Sequence, residues 1–99
     1  MTITKTESGT VLLLELEGRL DTLTAKELEA ENSSSLSGKT EVTYDFAKLD
    51  YVSSAGLRVI LAAYKELKKT GSSFKLIHVS DEIKEVFEMT GFSDFLTIE

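Results

Sequence analysis

Apolar residues recur with two distinct periods along the chain, and the changes of period mark the elements. Ile3–Thr6 and Val11–Glu17 read as strands joined by Glu7-Ser8-Gly9-Thr10, a short turn whose glycine can take positive φ. In the second strand Leu12, Leu14 and Leu16 share one face and Glu15 and Glu17 the other, with Leu13 between them, as in a sheet covered on one side. Val42, Tyr44 and Phe46 alternate with Thr43 and Asp45, predicting a third strand over Glu41–Phe46. The period then lengthens. Leu57, Ile60, Leu61, Tyr64 and Leu67 form the core stripe of a helix from about Ser54 to Thr70, with Lys68 and Lys69 at its negative end and Gly71 as its stop. Phe74–Val79 is again of strand type, with the lone histidine, His78, inside it. Glu41–Phe46, the long helix and this strand therefore make a βαβ unit with parallel strands and a right-handed crossover.

The remaining segments fill in around that unit. Gly18-Arg19-Leu20-Asp21 leaves the second strand, and Thr24-Ala25-Lys26-Glu27 has the form of a capping box opening a short helix to about Asn32. Ser33-Ser34-Ser35-Leu36-Ser37-Gly38 reads as a polar connection, not a domain linker, because neither flank is long enough to fold alone. Ser80-Asp81-Glu82 opens a last helix with Ile83, Val86 and Phe87 on its buried face and Gly91 at its end. Phe95–Ile98 is either a final strand or a segment packed on the core. One domain over residues 1–99 follows, large enough to bury a real core.

Composition narrows the chemistry. Cysteine is absent, which removes disulfides, thiol catalysis and cysteine metal sites. Seventeen acidic residues against eleven basic give a net charge of −6, which opposes non-specific binding to nucleic acid or to an anionic membrane. No stretch reaches the ~20 apolar residues of a membrane span and the start lacks a signal-peptide core, so a cytoplasmic protein is the simplest reading. The size and acidic surface point to a monomer.

Two serines stand where the long helix begins, in Leu49-Asp50-Tyr51-Val52-Ser53-Ser54-Ala55-Gly56-Leu57-Arg58. A helix start offers unpaired N–H groups and the positive end of the dipole, so a serine there can cap the helix and a phosphate there is stabilised. Arg58, one turn on and leaning back, is placed to pair with a phosphate on Ser54. Other motifs fail. Ser37-Gly38-Lys39-Thr40 lacks the first glycine of a P-loop and precedes a strand, and Val52-Ser53-Ser54-Ala55-Gly56 has Val52 where a hydrolase elbow needs glycine. No base stands beside the serines, and His78 reads as structural, so no catalytic site, no cofactor and no metal constellation are expected.

Ser53-Ser54-Ala55-Gly56-Leu57-Arg58-Val59-Ile60-Leu61, Gly18-Arg19-Leu20-Asp21 with Thr24-Ala25-x-x-Leu28, and Val86-Phe87-Glu88-Met89-Thr90-Gly91-Phe92 together resemble the STAS domain, the anti-sigma factor antagonist family of bacteria. The resemblance runs from about Val11 to the last residue. It implies an α/β fold with a mixed four- to five-stranded sheet and about three helices mainly on one face. It puts Ser54 at the family's phosphoacceptor position; Ser53, where many relatives have aspartate, is the alternative. Asp21 would lie near the acceptor, contacting a partner or orienting the serine, or else capping the adjacent helix. Ser53, Gly56 and Arg58 would complete the partner-binding surface. The implied function is to bind an anti-sigma factor, usually a serine kinase, with phosphorylation breaking the complex and a PP2C-type phosphatase resetting it. Neither nucleic acid nor membrane would be a partner. The alternative is a constitutive scaffold subunit of a signalling or transporter assembly.

Overall fold

The alternating leucines of the N-terminal half build the centre of a sheet, shown by a computed structural model that describes residues 1–99. The chain runs β1 (Thr2–Ser8), β2 (Val11–Leu20), α1 (Thr24–Ser35), β3 (Glu41–Val52), α2 (Ser54–Lys69), β4 (Ser73–Ile77), α3 (Asp81–Met89), a 3₁₀ turn at Phe92–Asp94, and β5 (Thr97–Ile98). The five strands stand in chain order. β1 is antiparallel to β2, while β2, β3, β4 and β5 are mutually parallel. Each parallel link requires a crossover, and α1, α2 and α3 supply the three.

Leu12, Leu14 and Leu16 of β2, Val42, Tyr44 and Phe46 of β3, and Phe74 and Leu76 of β4 are buried, and they form one cluster with Leu28 of α1, Ile60 of α2 and Phe87 of α3. All three helices thus cover the same face, and Glu15, Glu17 and Lys48 lie exposed on or near the other. The fold is a mixed five-stranded α/β domain, within the four- to five-stranded mixed sheet that the resemblance implies. One polar pair sits inside: Tyr44 Oη lies 2.6 Å from Asn32 Oδ1. No buried side-chain N or O atom is left without a partner. No helix is long and apolar enough to cross a membrane.

Several boundaries differ from those read along the sequence. β3 continues to Val52 and β2 to Leu20, where strands to Phe46 and Glu17 are expected, because the ladder slips twice, between Glu15 and Glu17 and between Gly18 and Arg19. Each slip inserts one extra residue in β3, so its buried positions after Phe46 come at Leu49 and Val52 and the strict alternation is lost. Ser33–Ser35 are the last turn of α1 and not a connection: Ser33 and Ser34 donate back to the carbonyls of Glu29 and Glu31, and the buried Ser35 donates to the Glu31 carboxylate. In α2, Leu57, Ile60 and Leu67 are buried as expected, but Val59 and Ala63 join them while Leu61 and Tyr64 are half-buried. His78 lies beyond the strand: β4 stops at Ile77, and His78 has φ 55° and an exposed ring 3.0 Å from the Asp45 carboxylate. The last segment resolves as a strand, with Glu99 N–H donating to Leu76 O.

Candidate functional site

The two serines at the start of α2 are held at the C-terminal ends of β2 and β3, and everything around them hangs on Leu20. Ser53 N–H donates to Leu20 O at 2.8 Å, which ties the short β3–α2 connection to the end of β2. Ser53 is the N-cap: its backbone is extended, with φ −90° and ψ 172°, and its Oγ accepts from Gly56 N–H at 3.2 Å. Leu57 N–H then donates to Ser53 O at 2.9 Å and closes the first turn. With the cap supplied by Ser53, Ser54 is the first helical residue and its side chain is exposed. The two hydroxyls therefore differ: one is committed to the helix start and half-buried, the other faces outward at the positive end of a 16-residue helix.

Gly56 permits this arrangement. A Cβ there would stand 2.7 Å from Leu20 Cγ and 3.2 Å from Leu20 O, so only glycine lets the first turn of α2 sit against β2. Gly56, expected on the partner-binding surface, is itself buried and offers no side chain, so its place in the site is to let the first turn of α2 approach β2.

Asp21 and Thr24 form a reciprocal box between β2 and α1. Asp21 Oδ1 accepts from Leu23 N–H and Thr24 N–H, both at 3.0 Å, and Thr24 Oγ1 accepts from Asp21 N–H at 2.8 Å while lying 2.6 Å from Arg19 O, to which it donates. The Thr24 N–H, helped by the Thr24 hydroxyl, the Leu23 N–H and the Arg19 charge, holds the Asp21 carboxyl below its ordinary pKa against a smaller opposing effect of burial. The capping box expected between Thr24 and Glu27 is thus shifted by three residues: Thr24 is helical, and its reciprocal partner is Asp21. Of the roles the sequence left open for Asp21, the geometry displays the cap. Its box leaves Leu23 at the tip of the loop, 77% exposed.

Arg58 is exposed one turn along α2 from Ser54, at the edge of a groove between α1 and α2. Asp21, Ser53 and Ser54 therefore converge on the end of β2, with Arg58 beside them. Sequence reasoning missed Leu20, the hub of the site, and the Arg19–Tyr51 pair in which the guanidinium carbon stands 4.2 Å from the ring centroid. That pair depends on the register shift that sets Arg19 opposite Tyr51, and nothing in either strand alone announces it.

Comparison with known proteins adds a family. Residues 2–99 match the STAS domain family model. A protein of Bordetella bronchiseptica named "Putative anti-sigma factor antagonist BtrV" is 36% identical over 93% of this chain and 80% of its own length. Among solved structures, the unphosphorylated form of the anti-sigma factor antagonist SpoIIAA superposes with a TM-score of 0.80 at 18% identity, covering 99% of this chain and 87% of that one. The phosphorylated form of SpoIIAA, a Bacillus cell fate determinant, gives 0.78 at 19% identity over 99% and 91%.

Proposed function

Because the chain belongs to the STAS domain family, we propose that it is an anti-sigma factor antagonist that binds an anti-sigma factor serine kinase and is switched off by phosphorylation of Ser54. One observation carries the choice of residue: Ser54 is exposed on the first turn of α2 while the neighbouring Ser53 already serves as its cap. A phosphate on Ser54 adds about −1.5 to −2 charges at neutral pH and three acceptor oxygens. At a helix N-terminus that charge is tolerated, so the modification changes what the surface presents and leaves the fold in place. The Ser53 hydroxyl is instead half-buried and already engaged with Gly56 N–H, which makes it the less accessible acceptor. ATP belongs to the kinase, this chain is its substrate and ligand, and a PP2C-type phosphatase restores the binding form.

The exposed Ser54, the loop tip at Leu23 and Arg58 form the face offered to the partner, with Asp21 holding the loop. Isothermal titration of the partner kinase with the wild type, Ser54→Ala and Ser54→Asp tests the reading. Ser54→Ala is expected to bind like the wild type, and Ser54→Asp to lose at least about tenfold, or ~1.4 kcal/mol. Equal affinity for all three would remove the switch and favour a constitutive scaffold subunit.

A further inference from the structure

We propose that the groove between α1 and α2 is a built-in receptor for the phosphate of Ser54, in which Lys26 of α1 and Arg58 of α2 grip the phosphoryl group from two sides. The inference rests on Ser54 being the modified residue and adds the means by which the modified form is held. The groove has a volume of about 370 Å³; its lining is mainly apolar, with Ala25, Ala55 and Val59 in it, and Lys26, Glu29 and Arg58 are its charged lining residues. Ser54 is not itself a lining residue, but Ala55, the next residue, and Arg58, one turn on, both are, which sets the acceptor at the margin of the groove. Arg58 is four residues along the same helix and shares the face of Ser54, and helical side chains lean toward the N-terminus, which brings the guanidinium toward the acceptor. Lys26 faces the same space from the other helix.

Neither cation is spent elsewhere. The ion pairs of the protein use Lys5, Lys39, Lys75 and His78, and Arg19 and Lys68 lie over tyrosine rings. In a chain of net charge −6, two free cations lining one groove beside the acceptor make a local field suited to a dianion. The ligand is tethered, so its effective concentration is high and no independent affinity for free phosphate is needed. The one opposing group is Glu29, and Asp21 nearby has its carboxylate occupied by the Leu23 and Thr24 amides. The grip joins α1 to α2 through the phosphate and draws charge from the exposed face into the groove.

The test uses the full chain with phosphoserine installed at position 54 by genetic encoding, so that it does not depend on any kinase. The phosphate's second ionisation is followed by ³¹P NMR against pH, in the wild type and in Lys26→Met, Arg58→Met, the double variant and Glu29→Gln. The double variant keeps the helix N-terminus, so its difference from the wild type reads the two cations alone. The wild-type midpoint is expected at least about half a unit below that of the double variant, whose value lies nearer the ordinary ~6. Each single variant should fall between, and Glu29→Gln should lower the midpoint further. Since Lys26, Glu29 and Arg58 are exposed, the unphosphorylated variants are expected to keep the wild-type Tm. Equal midpoints in the wild type and the double variant, with all variants folded, would overturn the grip while leaving phosphorylation of Ser54 intact. Conversely, phosphate mapped to another residue in the native host would overturn the modification reading, whatever the NMR shows.

Discussion

Gly56→Ala pits two effects of opposite sign against each other in the first turn of α2. Alanine is the better helix former by about 1 kcal/mol in a helix interior, and less in a first turn, so propensity alone predicts stabilisation. Packing predicts the reverse. The new Cβ would lie 2.7 Å from Leu20 Cγ, about 0.7 Å inside the 3.4 Å at which ordinary contact begins, and 3.2 Å from the Leu20 carbonyl oxygen. Leu20 has no room to retreat: it is fully buried, and its carbonyl holds Ser53 N–H at 2.8 Å. Overpacking of this kind costs about 1–3 kcal/mol, so a net loss of about 1–2 kcal/mol is expected, equivalent to a Tm lower by roughly 5–15 °C for a domain of this size. Urea unfolding should show a lower midpoint with an unchanged slope. Because the displaced atoms are those that anchor Ser53, amide exchange at Ser53 and Leu57 should quicken more than at the far end of α2. A Tm equal to or above that of the wild type would show that the helix start yields easily, and the close packing of α2 on β2 would lose its claimed role.

The two serines should separate cleanly by stability. Ser53→Ala removes the cap and should cost about 1 kcal/mol in chemical denaturation, whereas Ser54→Ala should stay within about 0.5 kcal/mol of the wild type; the reverse order would assign the cap to the wrong residue. The Asp21 box predicts a pH dependence. With its carboxyl held below the ordinary 3.8, Asp21 contributes stability that is present above that value and is lost as pH falls through the folded-state pKa. The Tm gap between the wild type and Asp21→Asn should therefore be open at pH 6 and close below about pH 4, and a gap that stays constant over this range would show that the charge on Asp21 contributes nothing.

The fold was legible wherever one periodicity governed an element. Leu12, Leu14 and Leu16 and then Val42, Tyr44 and Phe46 announce half-covered strands, and the change to a spacing of three and four after Ser54 announces α2. Reading failed where two signals overlapped. The slips in β3 convert alternation into a spacing of three at Phe46, Leu49 and Val52, which breaks the strand template and imitates the helical one, so the alternation ends before the strand does. The serines ending α1 have poor helix propensity, but each satisfies its hydroxyl on the preceding turn and the helix outlasts its pattern. At the site, the position of Ser53 and Ser54 at a helix start was readable, because caps are local chemistry. The difference between the two hydroxyls was not, since it depends on which serine the Leu20 carbonyl fixes as the cap. Nor was the burial of Gly56, which is a fact about β2, thirty-odd residues earlier.

The most direct measurement is intact-mass and peptide mass spectrometry of the protein isolated from its native host, grown with and without stress. A singly phosphorylated fraction mapped to Ser54, changing with growth condition, is the expected result. Phosphate on Ser53 would retain the switch but contradict the division of labour between cap and acceptor. Absence of phosphate under every condition, with the protein still bound to a stable partner, would contradict the switch itself.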